Sequence, residues 1–296
     1  GVGRFHELPE DLLAHARVQG TERLVEQQHL GLHRERPGEC HALALTSGQL
    51  GRVPIAQVPA LDARVDARTK GSVTLLDRDG RVFAWRGETF GGTITADTVS
   101  PYLKNAVVAT EDKRFYRHLG ISPRGIASAV RINLSEGRGP LSGNGGSTIT
   151  QQVAKLLCLG VPYDPKTWKD ETAYEEDCRR GGVWRKLKEV PYAFALEAKY
   201  SKDEILTIYF NRAYLGAGAR GFEAAAQLYF GRSVNEVNAA EAAMLAGLLT
   251  APSRLAPTNN LQRAQDRASV VLGLMHDQGY LSDAEFADAK QRPAQL

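Results

Sequence analysis

The chain has 296 residues, 43% of them apolar, and a formal net charge of +3, which allows one large domain or two smaller ones with a sizeable core. So small and evenly spread a charge argues against a nucleic-acid binder. No apolar run reaches the length of a membrane span, no signal peptide is visible, and the three cysteines form no C-x-x-C pair, which argues against zinc.

Residues 1–70 carry little readable chemistry. Leu12, Leu13, His15, Ala16 and Val18 suggest a short helix. His29 and His33 stand four apart near Cys40 and His41, but no matching partner cluster follows, so they read as exposed helix histidines. Pro54 and Pro59 mark a loop or linker. Over 72–85 the pattern turns to strand: Val73, Leu75 and Leu76 lead into Asp77-Arg78-Asp79-Gly80, and Val82, Phe83 and Trp85 lead out. Asp-Gly between apolar runs predicts a hairpin. After about residue 97 the pattern is almost wholly helical, without an internal repeat.

Ser100 and Pro101 read as N-cap and first residue of a helix. Leu103, Ala106, Val107 and Thr110 recur at helical spacing and deliver two adjacent carboxylates, Glu111 and Asp112, to the helix end. An acid held there by a buried face, and partly desolvated, suits a general base working near neutral pH. Taken alone, the pair reads better as a solvated helix end. Phe115 and His118 follow, and Ser122-Pro123 start a second helix, running to about Leu134, with Ile126, Ala129, Val130 and Leu134 on one face. The loop over 135–146 is rich in glycine (Gly137, Gly139, Gly143, Gly145, Gly146).

Thr148 and Gln151 form a capping-box pattern at the start of the next helix. Ile149, Val153, Leu156 and Leu157 share its apolar face, while Thr148, Gln151, Gln152 and Lys155 present a polar one suited to sugar hydroxyls and phosphate oxygens. The polar stretch over 158–184 is long for a connection between helices. Cys158 and Cys178 bracket much of it; a disulfide between them and two unrelated thiols are both compatible with the spacing. Arg185 and Lys186 stand four and three residues before Glu189, which reads either as a surface salt bridge or as a cationic pair for an anionic leaving group. Ser201 and Glu204 box the start of a further helix, Phe222 to Phe230 form another, Asn238 and Glu241 cap an alanine-rich helix over 242–249, and a final helix is predicted over 263–278.

Five blocks in this order resemble glycosyltransferase family 51, the peptidoglycan glycosyltransferases, which occur alone or as the first catalytic domain of class A penicillin-binding proteins. They are Glu111-Asp112-x-x-Phe115-x-x-His118-x-Gly120; Gly146 to Gln152 with Lys155; Arg185-Lys186-x-x-Glu189; Lys202-x-x-Ile205-Leu206-x-x-Tyr209-x-Asn211; and Gly221 to Gly231 with Ala224, Ala225 and Tyr229. The resemblance covers roughly 72–280. It implies a mainly α, lysozyme-like domain over 98–296 with a small membrane-contacting jaw around 121–146. A β-hairpin and linker at 71–97 would precede it, with an N-terminal extension at 1–70 and an insertion at 158–184.

By that resemblance, the enzyme polymerises lipid II at the extracytoplasmic face of the bacterial inner membrane, with no anchor inside this chain. Glu111 would be the general base, and Glu189, the second catalytic carboxylate, would orient cations or hold a divalent metal (Mg or Mn). Lys155, Arg185 and Lys186 would hold the diphosphate; Ser147, Thr148, Gln151, Gln152, His118 and Asn211 would contact substrate. The implied partners are lipid II, the growing glycan strand, the membrane surface and other cell-wall synthesis proteins, but no nucleic acid.

The chain departs from the family pattern at three places. Leu156 stands where the family has asparagine, and Ala217 where it often has arginine, with Arg220 three residues on. The long stretch between Lys155 and Arg185 replaces a short connection whose arginine reaches the diphosphate, a part open to Arg179 or Arg180. Two other readings use the same groove: a lysozyme-like glycan-cleaving enzyme, against which the cations argue because cleaving a neutral glycosidic bond needs no diphosphate clamp, and a non-catalytic scaffold that binds lipid II.

Overall fold

Strand β1 (Val73–Leu76) pairs antiparallel with β2 (Val82–Arg86), Val73 opposite Arg86, with a register irregularity between Leu75 and Leu76. This is the hairpin that the apolar runs on either side of Asp-Gly predict. β3 (Thr89–Phe90) pairs parallel with β4 (Ala219–Arg220), a two-residue contact too short to carry a pattern of its own. The computed structural model describes residues 73–76, 82–86, 89–90, 92–139, 146–180 and 182–296, all within the unit Ser47–Leu296. The readings on 1–70, including His29, His33, Cys40 and His41, and those on the turn at 77–80, Gly143 and Gly145, lie outside the described residues.

The remaining elements are helices: α1 (Pro101–Glu111), α2 (Pro123–Ser135), α3 (Ile149–Leu156), α4 (Glu171–Arg179), α5 (Val183–Lys199), α6 (Lys202–Arg212), α7 (Phe222–Phe230), α8 (Ala239–Leu248), α9 (Pro252–Leu255), α10 (Leu261–Asp277) and α11 (Asp283–Gln291). The domain is mainly α, as expected. Reciprocal capping boxes start α3 (Thr148 with Gln151), α6 (Ser201 with Glu204), α8 (Asn238 with Glu241) and α11 (Ser282 with Glu285). Each satisfies backbone donors that a helix start otherwise leaves open. Three helices were not predicted, the single-turn α9 and two longer ones. α4 lies inside the polar insertion, started by the Asp170 side chain accepting from the Ala173 N–H, and has no apolar stripe to announce it. α11 follows the supposed last helix, and only one of its residues, Ala289, is a buried apolar one.

Every residue of α8 is buried. Its alanines let α1 and α10 pack closely against it. α1 buries Leu103, Ala106, Val107, Val108 and Ala109, so its last residue, Glu111, is held by a packed helix rather than a loop; truncating Leu103 at such a site costs about 2–5 kcal/mol. α3 packs on both α5 and α6. Where the chain enters α3 the backbones crowd: a Cβ on Gly146 would lie 2.6 Å from the Ile126 Cα on α2. α2 itself is mostly solvent-facing, with Leu134 and Ile126 exposed and only Ala129 and Asn133 buried.

The insertion has its own small order. Cys158 and Cys178 are joined in a disulfide, their Cα atoms 5.1 Å apart. Tyr174 meets Tyr163 and Trp168 edge-on, at centroid distances of 5.8 and 5.0 Å. Glu175 on α4 reaches Arg220 of β4 at 3.0 Å. No described helix is long and apolar enough to cross a membrane.

Candidate active site

Glu111 ends α1 half-buried. Burial pushes its carboxyl above the ordinary carboxylate range and the neighbouring Asp112 charge adds to this, while a hydrogen bond from Gln152 and the positive charge of Arg267 pull it back. Desolvation therefore dominates, which leaves Glu111 a better proton acceptor than a surface glutamate. Gln152, on α3, donates its Nε2–H to Glu111 Oε2 at 2.7 Å. Its Oε1 accepts from the Tyr209 hydroxyl at 3.0 Å. Tyr209, on α6, is 2% exposed, and burial followed by the Glu111 charge pushes its phenol far above the usual value. A phenol held protonated is a donor toward the amide, which fixes the amide orientation and leaves only its N–H side for Glu111.

Asp112 faces the opposite way. It is 8% exposed and its Oδ2 accepts from the backbone N–H of Ile149, the first residue of α3, at 3.2 Å, and lies 2.8 Å from His118 Nε2. The two adjacent acids thus divide: Glu111 meets the Gln152 amide and Asp112 locks the start of α3, where a carboxylate also meets the positive helix end. His118, predicted as a substrate contact, is a buried partner of Asp112 instead; its side chain is 9% exposed.

Glu189 lies on α5 with no exposed surface. Its carboxylate sits 3.0 Å from Arg185 Nη1 and 2.7 Å from Lys186 Nζ. The arginine contact is close but not aligned as a hydrogen bond, so Arg185 Nε and Nη1 have no acceptor among the described residues. Lys186 also donates to Ser147 Oγ at 2.7 Å, tying α5 to the entry of α3. Lys155 is exposed near the end of α3, three residues beyond Gln152. A buried acid thus holds two cations, of which Lys186 is the more exposed.

Three predicted contacts are turned inward. Thr148 and Gln151 are 1% and 5% exposed and spent on their capping box, with Thr148 Oγ1 also donating to the Gly120 carbonyl at 2.6 Å. Asn211 accepts from the Ile94 N–H at 3.1 Å and donates to the Ile94 and Thr207 carbonyls at 2.7 Å, fastening the segment before α1. Glu189 is equally enclosed, its carboxylate turned to Arg185 and Lys186. Arg180 is exposed beside Asp177 in the insertion, and Ala217 has φ 48° in the turn before Arg220. Sequence reasoning missed Tyr209 and Arg267 as neighbours of the acid. Tyr209 sat in a quoted block but was read as scaffold; Arg267 sat in a helix with no motif.

As for a metal, both Glu189 oxygens face cations, and no group of three or more His, Cys, Asp or Glu among the described residues is arranged to hold one. The donors present do not fit a divalent ion.

Comparison with known proteins bears on this geometry. A family model described as Transglycosylase matches residues 80–276. Penicillin-binding protein 1A of Escherichia coli (strain K12) is 37% identical over 230 residues, which span 78% of this chain and 25% of that protein. The protein of the same name from Neisseria flavescens is 40% identical over 230 residues, 78% of this chain and 26% of the relative. Penicillin-binding protein 1A/1B of Bacillus subtilis (strain 168) is 36% identical over 240 residues, 81% and 24% respectively. The chain spans about a quarter of the length of these relatives. Among solved structures, penicillin-binding protein 1A from Haemophilus influenzae aligns with a TM-score of 0.40 at 23% identity, covering 76% of this chain and 22% of that one.

Proposed function

The chain belongs to the transglycosylase family, and from that premise we propose that it is a peptidoglycan glycosyltransferase that joins lipid II units into β-1,4-linked glycan. Residues 98–296 are its catalytic domain and 71–97 its linker. Glu111 removes the proton from the acceptor sugar 4-hydroxyl. The oxygen attacks the donor anomeric carbon from the face opposite the leaving group and inverts it, and the bond to undecaprenyl diphosphate breaks with its electron pair going to the diphosphate oxygen. Arg185 and Lys186, with Lys155 on the neighbouring helix, take up the charge that builds there, the kind of electrostatic stabilisation that is usually the largest catalytic effect.

One observation carries this reading: Gln152 of α3 holds the desolvated acid of α1, and α3 packs on α5, whose cationic cluster is anchored on buried Glu189. A glycan-cleaving enzyme would leave that cluster without a purpose. The exposed Leu119, Ile126, Ile132 and Leu134, beside Arg124 and Arg131, form the surface we assign to the membrane.

The test is incubation with labelled lipid II in detergent, with products sized on a gel, for the chain and for Glu111→Gln. A glycan ladder that the variant lacks is the expected result. Lipid II bound by both but polymerised by neither would favour the scaffold.

A further inference from the structure

The insertion meets the catalytic helices at one turn. Immediately after α3, Cys158, Leu159 and Gly160 have φ of 51°, 54° and 78°. Two of these three left-handed residues carry a Cβ, a conformation that persists only where the surroundings impose it. A Cβ on Gly160 would lie 2.8 Å from the Tyr192 ring, so the turn is pressed against that residue. Tyr192 is 3% exposed and stands on α5 three residues after Glu189 and seven after Arg185, on the same face. The turn therefore bears on α5 along the row that carries the cation anchor.

What holds the turn is the insertion. Cys158 is bonded to Cys178 in the last turn of α4. The Tyr174 hydroxyl of α4 donates to the Val161 carbonyl just past the turn, and Glu175 fastens α4 to Arg220 in β4. α5 begins five residues after Cys178. We propose that the Cys158–Cys178 disulfide is a positioning bond for the anion clamp: it keeps the left-handed turn against Tyr192 and so fixes Arg185 and Lys186 on α5 relative to Gln152 and Lys155 on α3. This rests on the reading of those cations as the diphosphate site. A bond that merely closed an exposed loop would not need to sit at the junction of these two helices.

The experiment uses the full chain, oxidised and then treated with dithiothreitol, which gives the disulfide two electrons and two protons and is itself oxidised to a cyclic disulfide. Cys158→Ser/Cys178→Ser and Gly160→Ala are run beside it. Amide hydrogen exchange is read over 183–192 and, as control, over α8. Reduction is expected to speed exchange at 183–192 at least tenfold while α8 keeps its protection. With labelled lipid II, both variants are expected to lower kcat about tenfold with KM within twofold, because the cations act on charge that builds in the transition state. Unchanged exchange at 183–192, equal loss of protection in α8, or an unchanged kcat overturns the proposal. If the untreated chain makes no glycan, the proposed function fails, and the exchange arm still decides whether the disulfide positions α5.

Discussion

The Gln152 amide gives Glu111 a hydrogen bond of 2.7 Å on the same carboxyl whose proton affinity burial raises. The two effects oppose each other. Burial disfavours the carboxylate, and the amide N–H favours it. Activity that depends on ionised Glu111 rises with pH through its raised pKa and then levels off. Gln152→Leu removes the contact that lowers that pKa, so the acid limb of the rate profile moves to higher pH. Arg267→Gln is expected to move it the same way, since its charge acts in the same sense. A pH–rate series for the three proteins checks both; a limb that stays in place removes Gln152 and Arg267 from the tuning of the base.

Glu111→Gln separates chemistry from stability. A carboxyl whose folded pKa is raised favours the folded state fully below its unfolded pKa and loses that contribution as pH rises through the folded value. At pH 7 ionised Glu111 therefore burdens the fold, and the amide relieves that burden. The variant is expected to melt at or above the native temperature at pH 7, with the advantage vanishing toward pH 4, and to form no glycan. Thermal melts at the two pH values read the first claim and the lipid II gel reads the second. Retained polymerisation would remove Glu111 as the base.

Glu189 is the anchor of two cations and is itself sealed from solvent. Glu189→Gln keeps the shape and removes the charge. Because Arg185 is 19% and Lys186 46% exposed, their loss of a partner is partly offset by water. The expected cost is about 2 kcal/mol, below that of breaking a wholly buried pair. The larger effect falls on the chemical step: kcat drops on the order of tenfold as the cations lose their shared orientation. Denaturant melts and steady-state kinetics measure the two parts, and an unchanged kcat would sever the anchor from the diphosphate site.

Local signals in the chain foretold local structure well. Ser-Pro at 100–101 started α1, and Thr148 with Gln151, Ser201 with Glu204 and Asn238 with Glu241 made the boxes their spacing predicts. The same Ser-x-x-Glu spacing at Ser282 and Glu285 was present and went unread. What spacing cannot show is which way a polar side chain turns once the helix is packed. Thr148 and Asn211 look like ligand groups on a helical wheel, yet each satisfies backbone atoms brought near by tertiary contact, while Gln151 is spent on the capping box its spacing predicts. Adjacent Glu111 and Asp112 look alike in sequence and differ because α3 starts against only one of them. Tyr209 and Arg267 reach the acid from 98 and 156 residues away along the chain, a proximity that no local pattern encodes.

The outward side of α2 gives the last prediction. Leu134 is 57% and Leu119 74% exposed, with Ile126 and Ile132 also open to solvent and Arg124 and Arg131 nearby. Several large apolar side chains left exposed on a folded domain mark an interaction surface. Burying one leucine in lipid contributes about 2 kcal/mol, and about 1.4 kcal/mol is a tenfold change in partition. Leu119→Ser with Leu134→Ser should therefore cut co-sedimentation with anionic vesicles by at least tenfold. The melting temperature should hold within a few degrees, because neither residue is in the core. The arginines add an electrostatic part that weakens with salt, so raising ionic strength should reduce binding of the native chain while leaving a remainder that only the leucine substitutions remove. Equal sedimentation of variant and native chain would place the membrane contact elsewhere.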